Sequence, residues 1–132
     1  AISYNLSDMT DVLIIEPSKE LGLVISHAFA RKELTTKIAN TSQEAIKAAD
    51  SSPPRLVIIE LLIPKHNGLE FIHEFRSYSD WIDIPVIIYS QVSADEVGMS
   101  EKIKKDMGIL DHFYKPTTSL EKLVDRAEQV LR

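Results

Sequence analysis

The chain has 132 residues, of which 44% are hydrophobic and 27% are charged, and its formal net charge at pH 7 is −5. This length fits one domain with a hydrophobic core, and the acidic balance weighs against a nucleic-acid surface, which normally needs a basic face. The chain contains no cysteine, which excludes disulfides and thiolate metal sites.

The sequence shows no sign of a membrane segment or an export signal. No apolar run approaches the roughly 18 residues that a membrane span requires. The start of the chain, AISYNLSDMT, lacks the basic residues and the long apolar stretch of a signal peptide. We therefore expect a cytoplasmic protein, with residues 1–10 as an N-terminal extension or residues added by cloning, and with one domain over residues 11–132.

Strand-like and helical patterns alternate along the first half of the chain. DVLIIE at 11–16 is a continuous aliphatic run of the kind buried on both faces of a sheet. Apolar residues at helical spacing then predict a helix over 18–32, with Ser18 as its N-cap. A weaker strand at 34–39 and a short helix at 41–49 follow.

The same alternation continues to the end of the chain. The patterns predict strands at 55–62, 84–90 and 111–116, and helices at 68–78, 93–107 and from 118 onward. Gly98 lies inside the predicted helix 93–107, where glycine costs about 1 kcal/mol relative to alanine. We expect this helix to be the least stable of the five.

Five strands alternating with five helices predict a parallel α/β sheet covered by helices on both faces, because each crossover returns through a helix. In such doubly wound sheets, functional sites lie outside the carboxyl ends of the strands. Four polar residues occupy the predicted strand ends: Glu16, Glu60, Ser90 and Lys115.

Glu60 is a single carboxylate within the aliphatic run VIIELLI at 57–63. A buried charge without a partner costs several kcal/mol or shifts its pKa. Glu60 must therefore either reach water at the strand end or point into a pocket shared with Ser90 and Lys115. The convergence of two acids, a hydroxyl and a lysine on one edge favours the shared pocket.

Three stretches, in this order, resemble the receiver domain of two-component response regulators: ELLIPKHNG at 60–68, IPVIIYS at 84–90 and FYKP at 113–116. The resemblance covers the chain from about Asp11 to Arg132. It implies a CheY-like, flavodoxin-like three-layer sandwich with a five-stranded parallel sheet of order 2-1-3-4-5. It also implies a role in bacterial phosphorelay signalling rather than an enzymatic one.

The acidic half of the site departs from the family pattern. The resemblance implies two adjacent acids after the first strand to hold Mg²⁺, but here Glu16 is followed by Pro17, which has no ligating side chain. The phosphoaccepting aspartate of the family falls at Glu60, which is one methylene longer. The remaining candidate ligands are Glu16, Glu60 and the carbonyl of Leu62, so we expect weak or absent Mg²⁺ binding and no other cofactor.

The phosphoryl-binding half of the site fits the family pattern. Ser90 matches the hydroxyl that contacts the phosphoryl group, and Lys115 matches the lysine that pairs with it. His112 occupies the position where the family commonly has an aromatic switch residue. Gln91 occupies a position where the family commonly has a small residue, so that Gln91 could cover the pocket. The resemblance also implies a cis peptide bond between Lys115 and Pro116.

These features predict a pseudo-receiver in which Lys115 neutralises Glu60 and imitates the phosphorylated contact. Two carboxylates facing one ammonium also predict that water enters or that one acid has a raised pKa. The output would be an interaction surface over residues 93–132 for a signalling protein, with a histidine kinase or a second copy as candidates.

Two alternative functions stay open at this point. The first is a response regulator that a histidine kinase still phosphorylates. The second is a small flavodoxin-like enzyme that uses Glu16, Glu60 and Lys115 as acid–base groups.

Overall fold

The structure, a computed structural model, describes residues 9–132. Five of its strands form one parallel sheet, and two short antiparallel strands form a separate hairpin. The strands are β1 Thr10–Ile15, β2 Thr36–Ala39, β3 Pro54–Ile59, β4 Leu62–Ile63, β5 His66–Asn67, β6 Val86–Ser90 and β7 Ile109–Tyr114.

Five α-helices alternate with the strands of the large sheet. They are α1 Lys19–Ala30, α2 Ser42–Ser51, α3 Gly68–Arg76, α4 Glu101–Met107 and α5 Leu120–Leu131. The sheet order is β2-β1-β3-β6-β7, which is 2-1-3-4-5 when the strands of the hairpin are not counted. The predicted doubly wound fold is therefore confirmed.

The aliphatic strands bury side chains on both faces of the sheet. Along β1, Val12 and Ile14 pack into the layer that holds α1 and α5, whereas Leu13 and Ile15 pack into the layer that holds α2 and α3. All four are at most 1% exposed, and each such side chain contributes about 1.5–3 kcal/mol on burial. This burial on both faces explains why each strand is a continuous run of apolar residues in the sequence.

The predicted helix 93–107 is wrong in its first half. The Ser93–Glu96 capping box does form, with the backbone amide of Ser93 donating to Glu96 Oε1 at 3.1 Å and that of Glu96 to Ser93 Oγ at 3.2 Å. Gly98, however, adopts a left-handed conformation with φ of 65°, which ends the turn, and α4 begins only after it. The cost expected for a glycine inside a helix therefore does not apply to Gly98.

The strand predicted at 55–62 ends earlier, at Ile59. The chain turns at Glu60, whose Oε2 accepts the backbone N–H of Leu62 at 3.0 Å, and it continues into the β4–β5 hairpin. The hairpin turn places Lys65 at a φ of 65°. This hairpin was not predicted from the sequence pattern.

The segment around Lys115 also differs from expectation. β7 ends at Tyr114 rather than at Pro116, and Lys115–Thr117 form a 3-10 turn. The described residues contain no cis peptide bond, so the prediction of a cis bond before Pro116 is wrong. The fixed φ of proline suits its place near the start of a helical turn.

In the part of the chain that the structure describes, no helix has the length and apolar character needed to cross a membrane. The extension predicted at residues 1–10 lies almost wholly outside the described residues, and β1 begins at Thr10. The extension and the cytoplasmic location stay predictions.

Candidate functional site

The structure brings the four polar residues of the strand ends together. Lys115 Nζ lies 2.6 Å from Glu16 Oε1 and 2.7 Å from Glu60 Oε1, and the hydroxyl of Ser90 donates to Glu60 Oε2. Glu16 is 5% exposed, Glu60 4% and Ser90 0%. They form a closed pocket of two acids, one hydroxyl and one ammonium, which we call the acid pocket.

Glu60 accepts two hydrogen bonds on each carboxylate oxygen. Oε1 accepts from Lys115 Nζ and from the backbone N–H of Gln91 at 3.0 Å. Oε2 accepts from Ser90 and from the backbone N–H of Leu62 at 3.0 Å. The four donors match the roughly four lone-pair sites of a carboxylate, so Glu60 is saturated.

Glu16 is held from both sides. Its Oε1 faces Lys115, and its Oε2 accepts the backbone N–H of Ser18 at 2.9 Å. Its own backbone N–H donates to the carbonyl of Ala39 at 2.9 Å, which continues the pairing of β1 with β2. Pro17 supplies no ligand, but the turn it occupies directs the Ser18 amide at the carboxylate.

The charged forms of Glu60 and Lys115 are favoured despite their burial. Burial alone would raise the pKa of Glu60, but hydrogen bonds from the Leu62 amide, Lys115 and Ser90 lower that pKa below its ordinary value. Burial alone would lower the pKa of Lys115, but the carboxylates of Glu16 and Glu60 raise it. The interaction is therefore a buried ion pair, not a pair of neutral groups.

Backbone amides compensate the extra negative charge of the pocket. The amides of Ser18, Leu62 and Gln91 all point at the two carboxylates. The expectation that one acid has a raised pKa is wrong for Glu60, because these fixed donors stabilise its ionised form. Gln91 contributes its backbone amide to the pocket, and the residue is exposed. Cover of the pocket by the Gln91 side chain stays a prediction.

His112 joins the pocket indirectly. Its Nε2 donates to the carbonyl of Val92 at 2.8 Å, and the backbone N–H of Val92 donates to Ser90 Oγ at 3.1 Å. The His112 Nδ1 atom is buried and has no hydrogen-bond partner among the described residues. His112 thus ties the segment after β6 to β7.

Tyr89 is a further residue of the site that was not predicted from the sequence. The Lys115 Nζ atom lies over its ring, 5.7 Å from the centroid, and its hydroxyl donates to the carbonyl of Thr118 at 3.2 Å. Side chains alternate along a strand, so Tyr89 is expected to point away from the face on which Ser90 lies. Nothing in the pattern showed that the long Lys115 side chain passes over that ring.

The residues of the acid pocket do not fit Mg²⁺. This ion needs near-octahedral oxygen ligands, usually carboxylates with open coordination sites. Here the Lys115 ammonium already bridges Glu16 and Glu60, and Pro17 adds no oxygen. Within residues 9–132, no group of three or more histidine, aspartate or glutamate side chains is placed to hold a metal ion.

The response regulator receiver domain family matches residues 12–128 of this chain. The chain belongs to this family. The receiver domain is 30% identical over 124 residues to the response regulator ArlR of Staphylococcus epidermidis, covering 94% of this chain and 53% of that protein. It is 32% identical over 109 residues to the KDP operon transcriptional regulatory protein KdpE of Escherichia coli, covering 82% of this chain and 45% of that protein. The chain thus spans about half the length of these relatives.

Solved structures agree on the fold. The chemotaxis protein CheY4 of Vibrio cholerae matches with a TM-score of 0.80 and 22% identity, over 93% of this chain and 99% of that one. A sensor protein from Polaromonas sp. JS666 matches with a TM-score of 0.80 and 15% identity, over 92% of this chain and 95% of that one. The receiver domain therefore has the CheY-like fold. It belongs to two-component signalling, and the relatives that it matches are regulators.

Proposed function

We propose that this receiver domain is a protein-interaction module that is held in one state by its acid pocket and undergoes little or no Mg²⁺-dependent phosphorylation. The observation that carries this proposal is the saturated carboxylate of Glu60, which accepts from Lys115, Ser90 and two backbone amides. A bacterial, cytoplasmic setting is part of the proposal.

Phosphoryl transfer to Glu60 is disfavoured by position as well as by the missing metal ligand. Such transfer depends on aligning a free carboxylate oxygen with the phosphoryl group and on neutralising charge with a cation. Glu60 is 4% exposed, and either oxygen must first release two donors. Ser90 and Lys115, which the family uses to contact the phosphoryl group, contact the carboxylate instead and so imitate the phosphorylated arrangement.

The output surface proposed is residues 93–132. This region exposes two apolar side chains, Ile103 on α4 at 41% and Leu110 on β7 at 40%. A groove of about 570 Å³ also runs between β7 and α5, lined in part by Phe113 and Arg126. Apolar side chains beside a polar groove suit a protein partner, for which a histidine kinase, another signalling protein or a second copy are the candidates.

Two of the three lysines of α4 are paired within the helix, which favours a protein partner over nucleic acid. Lys102 lies 2.8 Å from Asp106, and Lys104 lies 2.9 Å from Glu101, both within the same helix. Because these charges are already balanced locally, they do not form the free basic face that phosphate binding needs.

A phosphorylation assay tests the proposal. The domain is incubated with acetyl phosphate and Mg²⁺, and its intact mass is measured. The matched control is the double variant Pro17→Asp with Glu60→Asp, which restores the second of the two adjacent acids and the phosphoaccepting aspartate of the family pattern. We expect no added phosphoryl group on the natural sequence and a phosphoryl group on the control.

Either of two results would contradict this account. Phosphorylation of the natural sequence to the level of the control would support the alternative of a regulator phosphorylated by a histidine kinase, which the presence of Ser90 and Lys115 favours. A double variant that stays unmodified would show that Pro17 and Glu60 are not what blocks the reaction.

A further inference from the structure

The Lys115 ammonium has one more donor than the acid pocket has oxygen acceptors for it. An ammonium carries three N–H groups, and two of them point at Glu16 Oε1 and Glu60 Oε1. Among residues 9–132, the structure gives Lys115 Nζ no third oxygen acceptor. Its side chain is 11% exposed.

The Tyr89 ring also lies close to this ammonium. The Lys115 Nζ atom lies over the Tyr89 ring, 5.7 Å from its centroid, within the roughly 6 Å over which a ring face attracts a cation. Tyr89 is 8% exposed, and a cation–π contact gains strength where water is excluded. The ring face thus supplies the third favourable contact.

The hydroxyl of Tyr89 holds the turn that carries Lys115. It donates to the carbonyl of Thr118 at 3.2 Å, and the backbone N–H of Thr118 donates to the carbonyl of Lys115 at 3.3 Å. Burial raises the pKa of Tyr89, the nearby charge of Lys115 opposes that rise and the charge of Glu16 adds to it, with a net increase. The hydroxyl therefore keeps its proton and remains a donor.

We propose that Tyr89 is a positioning residue that holds the Lys115 ammonium between Glu16 and Glu60. Its ring binds the charged end of Lys115, and its hydroxyl fixes the turn at the other end of the residue. The proposal extends the function proposed above, because it names the residue that keeps the acid pocket closed. It stands on contacts within the pocket and not on whether Glu60 accepts a phosphoryl group.

The test measures the exchange of the Lys115 Nζ hydrogens with water by ¹⁵N NMR. The variants are Tyr89→Phe, which keeps the ring, and Tyr89→Leu, which removes it. Tyr78→Leu is the control, since Tyr78 is 42% exposed and its ring packs on Trp81 rather than on a cation. We expect exchange about tenfold faster in Tyr89→Leu, from loss of the cation–π contact. In Tyr89→Phe, which keeps the ring but loses the hydrogen bond to Thr118, exchange should lie between that of the natural sequence and that of Tyr89→Leu. In Tyr78→Leu, exchange should stay close to that of the natural sequence.

Two results would overturn the proposal. One is a folded Tyr89→Leu variant in which the Lys115 hydrogens exchange as slowly as in the natural sequence. The other is a Tyr89→Phe variant in which they exchange as fast as in Tyr89→Leu, which would assign the effect to the hydroxyl alone.

A second ring-removing variant covers the case in which Tyr89→Leu does not fold. Tyr89→Met has a longer and more flexible side chain that adapts to the space but has no ring face, and the same exchange measurement applies to it. The phosphorylation assay tests the proposed function, and the exchange measurement tests the role of Tyr89. Failure of one proposal is therefore distinguishable from failure of the other.

Discussion

The Glu60 side chain joins two sides of the acid pocket, with Lys115 on one oxygen and Ser90 on the other. The meeting of these residues could be predicted from the sequence, because the carboxyl ends of parallel strands share one edge of the sheet. The amides of Leu62 and Gln91 could not be predicted, since the path of each loop decides which N–H groups face inward. Those amides, rather than a shared proton, make a pocket with excess negative charge stable.

The substitution Glu60→Gln should destabilise the domain. In either orientation of the amide, its NH₂ group replaces one oxygen and faces two donors that the carboxylate had satisfied, so we expect a loss of about 1–3 kcal/mol in the free energy of unfolding. Urea denaturation at pH 7 measures the change. Glu70→Gln is the control, since the Glu70 side chain is 73% exposed, and an equal loss in both variants would contradict the prediction.

The contribution of Glu60 to stability should depend on pH in a defined direction. Because its pKa in the folded state lies below the ordinary value of 4.5, this contribution is fully present above pH 4.5 and is lost as the pH falls through the folded-state pKa. The raised pKa of Lys115 acts in the opposite range: its contribution is fully present below the ordinary value of 10.5 and is lost as the pH rises through the folded-state pKa.

The difference in unfolding free energy between the natural sequence and Glu60→Gln isolates this effect. Asp11 also has a lowered pKa, because hydrogen bonds from Thr35 and Arg55 outweigh the effect of its burial. Asp11 is present in both proteins, so its contribution to the pH dependence of unfolding cancels in the difference. We expect the difference to be constant near neutral pH and to shrink below pH 4.5. A difference that stayed unchanged down to about pH 3 would contradict a lowered pKa for Glu60.

Helix α4 shows how one backbone conformation overrides a helical pattern. The capping box at Ser93 and the apolar spacing after it were predicted correctly as local signals, yet Gly98 at a φ of 65° stops the turn. Sequence periodicity cannot distinguish a glycine that is tolerated inside a helix from one that takes a left-handed conformation, because both leave the surrounding pattern unchanged.

The substitution Gly98→Ala distinguishes a helical from a left-handed Gly98 by the sign of the change in the free energy of unfolding. In a helix interior, alanine would stabilise the domain by about 1 kcal/mol relative to glycine. At a left-handed position, it should instead destabilise by roughly 1–2 kcal/mol, although a Cβ at this position would meet nothing within 4 Å. Urea denaturation gives the sign, and a stabilised Gly98→Ala variant would mean that 93–107 is one helix after all.

The β4–β5 hairpin offers a complementary test. Lys65 has a φ of 65°, a conformation that glycine adopts without steric cost. Lys65→Gly should therefore leave the fold intact and stabilise the domain by roughly 1 kcal/mol, as thermal unfolding would show. Lys47→Gly in α2 is the control with the opposite sign, since glycine in a helix destabilises. A loss of stability in Lys65→Gly would argue against the left-handed turn.

The whole molecule was more predictable than its site. The length and apolar character of the sequence runs identified the strands, since neighbouring side chains such as Val12 and Leu13 are buried on opposite faces of the sheet. The alternation of strands with helices then left few possible topologies. The acid pocket was then placed by topology. The contact of Tyr89 with Lys115 and the early end of β3 at Ile59 depend on side-chain and turn geometry that neither periodicity nor spacing encodes.

In the proposed function, the Lys115 ammonium and the backbone amides replace both the metal and the phosphoryl group in this receiver domain. Amide NMR spectra recorded during titration with Mg²⁺, and then with beryllofluoride as a phosphoryl mimic, test this replacement. We expect no saturable shifts at Glu16, Glu60, Ser90 and Lys115, while the Pro17→Asp, Glu60→Asp double variant responds. Saturable shifts at those residues in the natural sequence, spreading into 93–115, would contradict it.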